Sequence, residues 1–103
     1  MTLDVYLLLV KNEYPHLLND IINTLLKTLI YYLTTLRMHG ITYTDLKLDN
    51  VGVSISINSI NSIKSIKIKL LDIEGLHLSY DYEYVPQEYV NDFYKYEIIP
   101  LIN

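Results

Sequence analysis

Cysteine and tryptophan are absent from the 103 residues, and glycine and proline number three each. Without cysteine the chain has neither disulfides nor thiolate metal sites, and a reducing compartment is the default setting. Excess positive charge is lacking too. A net charge of −4 and a pI of about 5.1 argue against a broad nucleic-acid footprint. The apolar run 5–10 has no basic start and no small-residue cleavage site, so no secretory signal is expected. The longest apolar region, 17–36, is interrupted by Asn19, Asp20, Asn23 and Lys27. It makes a poor membrane span and reads instead as a buried or amphipathic helix. An intracellular protein, cytoplasmic or nuclear, off the membrane and off nucleic acid, is the expectation.

What is present is a small globular domain. Half of the residues are hydrophobic, and eleven of the twelve Phe and Tyr residues are tyrosines. One unit, 1–103, is all that this length supports. Residues 2–11 are compatible with a short helix or a buried strand; Thr2 can cap a helix and Asp4 suits its first turn. Pro15 fits the first turn of the next helix. From there to about Met38, Leu17, Leu18, Ile21, Ile22, Leu25, Leu26, Leu29, Ile30 and Leu33 fall in adjacent pairs four apart, which predicts one long helix with a wide apolar face. Gly40 is its natural stop. Residues 51–53 and 66–71 read as two strands. The low-complexity tract 54–65, alternating Ser and Ile before repeating Asn-Ser-Ile, reads as a hairpin insertion with the strands extended into the Ser/Ile pairs and a mobile turn. The tail beyond residue 76 is acidic and tyrosine-rich, and Pro100 is expected to end any helix there almost at once.

Two polar stretches carry the chemistry. In Ile41-Thr42-Tyr43-Thr44-Asp45-Leu46-Lys47-Leu48-Asp49-Asn50, a carboxylate is followed two residues later by a lysine and five later by an amide. In Leu70-Leu71-Asp72-Ile73-Glu74-Gly75, a strand delivers another carboxylate into a turn. An ordinary polar turn between helix and strand is the plain alternative, since Asp and Asn favour such places for backbone reasons. His16, His39 and His77 show no metal-ligand spacing and read as surface or capping residues. The tyrosines read as core or rim aromatics suited to a protein interface.

Together the loop 41–50 and the loop 72–75 resemble the catalytic and metal-binding loops of the protein kinase family, Ser/Thr type from the Asp-Leu-Lys. The Asp45 to Asn50 spacing equals that family's Asp-x-x-x-x-Asn. The resemblance implies that Asp45 orients the acceptor hydroxyl, Lys47 contacts the phosphoryl group, and Asn50 and Asp72 hold Mg2+ with ATP as cosubstrate. It implies an α+β fold: a partial kinase-like C-lobe with one long helix, a β-hairpin and a short helical or irregular tail. Tyr43 and Thr44 depart from the family's His-Arg before the aspartate, and Glu74 stands where Asp-Phe-Gly has its glycine, an arrangement closer to small-molecule kinases. Pro86 and Glu88 echo Ala-Pro-Glu, and Asp92 falls where the family's following helix has an aspartate that braces the catalytic loop. No glycine-rich loop, strand lysine or partner glutamate precedes the long helix. The chain is therefore expected to be inactive alone. Two alternatives stand beside kinase descent. One is a non-catalytic pseudokinase module that binds a protein partner or itself through the surface where an upper lobe would dock. The other is a remnant small-molecule phosphotransferase.

Overall fold

A computed structural model describes residues 1–59, 62–71, 75–78 and 83–103; for 55–59 and 62–65 only the backbone is considered. The fold is α+β. Helix α1 (Leu3–Glu13) leads through a 3-10 turn (Pro15–Leu17) into the long helix α2 (Leu18–Met38). Strand β1 (Thr42–Tyr43) and a second 3-10 turn (Leu48–Asn50) precede the ribbon of β2 (Val51–Ser59) and β3 (Ser62–Leu70). Strand β4 (Leu76–His77) returns to pair with β1, and α3 (Pro86–Phe93) runs through a π-turn (Tyr94–Ile98) into α4 (Ile99–Ile102). Both strand pairs are antiparallel.

Residues 3–13, which pattern alone left open, are helical because Leu3, Leu7 and Val10 recur at helical spacing and bury fully against the core. Thr2 occupies the N-cap position without capping: its hydroxyl makes no hydrogen bond to the first-turn amides. It serves the Asp4 carboxylate instead. The Thr2 hydroxyl and then the Val5 amide hold Asp4 below its ordinary range, against a smaller opposing effect of burial.

In α2 the stripe of Ile21, Leu25, Leu29 and Leu33 forms the centre of the core, each at most 1% exposed. Ile22 is buried beside it, whereas Leu18, Leu26 and Ile30 flank it half-covered. Gly40 takes φ +76°, and the Gly40 and Ile41 amides bond back to Arg37 and Leu36, ending the helix as its position predicts. His39 donates from Nδ1 to the Thr35 carbonyl, a capping role at the helix C-terminus.

The ribbon extends well beyond 51–53 and 66–71. Backbone pairing runs from Val51↔Leu70 to Ser59↔Ser62, with irregularities at Ser56/Ile57 and Ile57/Ser59, so most of the 54–65 tract is strand. The turn expected at its tip falls on Ile60 and Asn61, outside the described residues. At the base, Val51, Val53 and Leu70 point into the core and alternate with exposed Lys67 and Lys69. The chain start adds a short third edge: Thr2 bridges Gly52, and the Val53 amide donates to the Met1 carbonyl at 2.9 Å.

Pro100 does not end the last helix, contrary to the expectation from sequence. Its ring crowds the carbonyl four residues back, at Tyr96. Tyr96 lies inside the π-turn, whose wider spacing makes room there. Val90, Phe93 and Ile98 thereby continue one buried face onto the core.

The Thr2–Asp4 contact has a pH signature. A folded-state pKa below the reference value of 3.8 means stability present above that value and lost as pH falls through the folded pKa. Thr2→Val is expected to lower the urea midpoint at pH 7, with a smaller difference from the parent at pH 3, below the reference value. Equal midpoint differences at both pH values would show that the contact has no electrostatic role.

Candidate functional site

The polar loop is clamped between the core and the C-terminal helices. Tyr43, fully buried, roots its start, while β1 pairs Thr42 with His77 and Tyr43 with Leu76. The Thr44 amide donates to the Gly75 carbonyl at 3.0 Å, and the Thr44 hydroxyl shares a hydrogen bond with His77 Nε2 at 3.0 Å. The positions that depart from His-Arg are thus occupied by a core anchor and a cross-strand polar contact.

Asn50 is one of two buried polar side chains among the described residues, the other being Thr42. A buried amide left without partners is costly. Asn50 Nδ2 meets this by donating to both the backbone carbonyl and Oδ2 of Asp45, each at 3.0 Å. The sequence spacing of five therefore corresponds to direct contact. Lys47 Nζ lies 4.0 Å from the same Asp45 oxygen, with both side chains over 40% exposed. At that length and exposure the pair contributes about 0–1 kcal/mol. Lys47 stays near Asp45 without being locked to it.

The fourth predicted site residue, Asp72, lies outside the described residues, as do Ile73 and Glu74. Both flanks of that segment are tied to the loop. The Leu71 amide donates to the Asn50 carbonyl at 2.8 Å, and Gly75 receives Thr44. Gly75 also packs so closely that a Cβ there would sit 2.7 Å from Asp45 Cβ and 3.0 Å from the Tyr43 ring. Gly75 thus closes directly on Asp45.

Tyr89 and Glu97 complete the clamp. The Leu46 amide donates to the Tyr89 hydroxyl at 3.0 Å, and the Leu48 amide donates to Glu97 Oε1 at 3.1 Å, capping the 3-10 turn that carries Asn50. Burial pushes the Tyr89 phenol above its ordinary range, the Asp45 and Glu97 charges add to this, and the Leu46 hydrogen bond opposes it. The bracing that the kinase resemblance would assign to Asp92 comes in this structure from residues on either side of it. Sequence reasoning missed both because they are eight apart. In an uninterrupted α-helix that separation turns them about 80° from each other. The π-turn takes up one surplus residue and brings them to within about 20° of one face.

Among the described residues no group of three His, Asp or Glu side chains gathers as a metal cage. Where Asp45 and Asn50 touch, the loop offers one carboxylate and one amide, oxygen donors of the kind that suit a hard divalent cation. Comparison with known proteins finds no family model, curated protein or solved structure that matches the chain. Among the described residues, no helix is long and apolar enough to cross a membrane.

Two expectations follow from these contacts. Gly75→Ala should destabilise the protein by about 1–3 kcal/mol, because backbone-linked atoms must move. Gly52→Ala should cost less, since its nearest neighbour is the flexible end of Leu71 at 3.2 Å; chemical denaturation of the pair reads the contrast. Glu97→Ala removes a carboxylate acceptor and should cost about 1.5–3 kcal/mol, against about 0.5–1.5 for Tyr89→Phe. Hydrogen exchange should accelerate selectively at the Leu48 amide in the first variant and at Leu46 in the second.

Proposed function

We propose that the loop 41–50 is a phosphoryl-transfer site of protein-kinase type, held in a C-lobe-like arrangement of α2, the ribbon and the C-terminal helices. The observation that carries the reading is the contact of the Asn50 amide with both oxygens that Asp45 presents to it, at the junction where Gly75 closes on Asp45. Because Nδ2 is engaged, Oδ1 is the atom of the amide left for a cation. In this reading Asn50 and Asp72 hold Mg2+, which when bound neutralises phosphate charge. Asp45 orients and accepts the proton of an attacking hydroxyl, and Lys47, half-exposed and 4.0 Å away, is placed to swing onto a phosphoryl oxygen. Ser or Thr hydroxyls are the acceptors that the Asp-Leu-Lys suggests.

The three glycines of these residues do not form a phosphate-cradling loop. The reading is therefore of weak Mg-ATP contact by this chain alone, with turnover requiring groups that it does not contain. A second reading, a non-catalytic binding module, is favoured by one observation. Met1 and Leu71 are 64% and 49% exposed beside a cavity of about 250 Å3 at the base of the ribbon, an apolar surface suited to a second copy or a protein partner.

Isothermal titration with Mg-ATP separates the two. Phosphoryl-transfer ancestry predicts saturable heat that disappears when EDTA replaces Mg2+ and in Asp72→Asn. Mn2+ should broaden NMR signals around Asp45 and Asn50 ahead of those in α1. A flat titration with uniform broadening would remove the kinase-type reading and leave the binding module.

A further inference from the structure

Helix α1 is apolar on more than the side that it buries. From Leu3 to Val10 its one polar residue is Asp4. Leu3, Tyr6, Leu7 and Val10 turn into the core. Val5, Leu8 and Leu9, at i, i+3 and i+4, form a second stripe about 100° wide, as broad as the face by which a surface helix ordinarily meets its core. These three are 51%, 40% and 43% exposed. A helix apolar all round belongs in an interior. Among the described residues nothing covers this side.

The charged residues of α1 indicate what does. Asp4 and Lys11 are seven apart in sequence, so they lie within about 20° of one line along the helix, and that line borders the stripe next to Leu8. About 10 Å of axial rise separates them, too far for them to pair with each other. Among the described residues neither has an ionic partner. Thr2, and then the Val5 amide, hold Asp4 in its charged form. When a second copy of α1 lies antiparallel to the first across a two-fold axis, the same border of each helix comes together. With the axis midway between Asp4 and Lys11, each Asp4 is level with Lys11 of the other copy, giving two equivalent ion pairs. In that register Leu8 sits beside the axis, and Leu9 of one copy falls between Val5 and Leu8 of the other. Glu13, on the opposite border, comes level with Thr2 of the second copy, so no like charges are opposed.

We propose that α1 pairs antiparallel with α1 of a second copy, with Val5, Leu8 and Leu9 interdigitating across the two-fold axis and Asp4 meeting Lys11 on either side of it. A partner of another kind would have to match both the stripe and the charges, whereas the chain's own helix matches them by symmetry. At 11 residues the helix is only about 16 Å long. The contact is therefore at the small end of specific interfaces, and a weak dimer, with Kd about micromolar or higher, is expected. This face stands independently of the kinase-type loop and of the cavity at the ribbon base, whose lining includes none of Val5, Leu8 and Leu9.

Sedimentation equilibrium of the full chain between about 5 and 500 μM tests it. A monomer–dimer equilibrium should appear, weakened about tenfold or more by Leu8→Glu. Met38→Ser, at an exposed apolar residue away from α1, should leave it within about twofold. Asp4→Lys and Lys11→Asp should each weaken self-association, because each sets like charges level with one another. An equimolar mixture of the two should dimerise again, since both pairs are then restored with one sign exchanged in each chain. The absence of cysteine from the chain gives a second measurement that does not depend on Asp4→Lys folding. Leu8→Cys, beside the axis, should form a disulfide between copies on mild oxidation much faster than Met38→Cys. Monomer at every concentration, association unchanged by Leu8→Glu, or equal cross-linking of the two cysteine variants would overturn the proposal. Association lost in Leu71→Glu but kept in Leu8→Glu would overturn it in favour of the ribbon base. A monomer that binds phosphatidylcholine vesicles through Leu8 would make the face a membrane contact instead.

Discussion

A buried amide has to find hydrogen bonds, and the satisfaction of Asn50 is the requirement around which this small structure is arranged. Its partners are on Asp45, five residues earlier, so the intervening loop must fold back on itself. That fold turns the Leu46 and Leu48 amides away from any strand or helix partner. They are taken up by Tyr89 and Glu97 from the far end of the chain. The Asn50 carbonyl in turn receives Leu71, which fixes where β3 finishes. One polar side chain thus links helix exit, ribbon base and C-terminal tail.

The parts legible in the sequence were those governed by a single period or a single residue. Four-residue spacing of Ile21, Leu25, Leu29 and Leu33 specifies α2 whatever its neighbours do, and Gly40 can take positive φ at little cost. The Asp45 to Asn50 spacing was readable as a motif through its resemblance to the kinase loop, but the direct hydrogen bond between the two side chains was not. Residues 3–13 were ambiguous, since Val and Leu serve a buried strand as well as a helix. Thr2 fits a cap by residue type, but the nearby Asp4 carboxylate competes for its hydroxyl. The tail was misread for a different reason: proline rules assume α-helical geometry upstream, and the backbone before Pro100 is not α-helical.

Long-range polar partners were the least legible of all. Nothing within residues 41–50 points to Tyr89 or Glu97, and eleven tyrosines give no way to single one out. The departures from kinase-like sequence at Tyr43 and Thr44 gain a physical account in the structure. Tyr43 fills the core that the short β1–β4 pair would otherwise leave thin, and Thr44 bonds across that pair. Whatever chemistry the loop supports, these two residues now hold it in position.

The surplus residue in the 94–98 turn has an evolutionary corollary. Surface helices ordinarily absorb conservative substitutions and resist only those that break them, yet here the count of residues matters as well as their kinds. Loss of a single codon from that stretch would restore regular winding and leave Glu97, then seven residues from Tyr89, still within about 20° of the same face. It would nevertheless set Pro100 against an ordinary turn. Descendants of this sequence that keep Pro100 should therefore keep the length of the stretch before it.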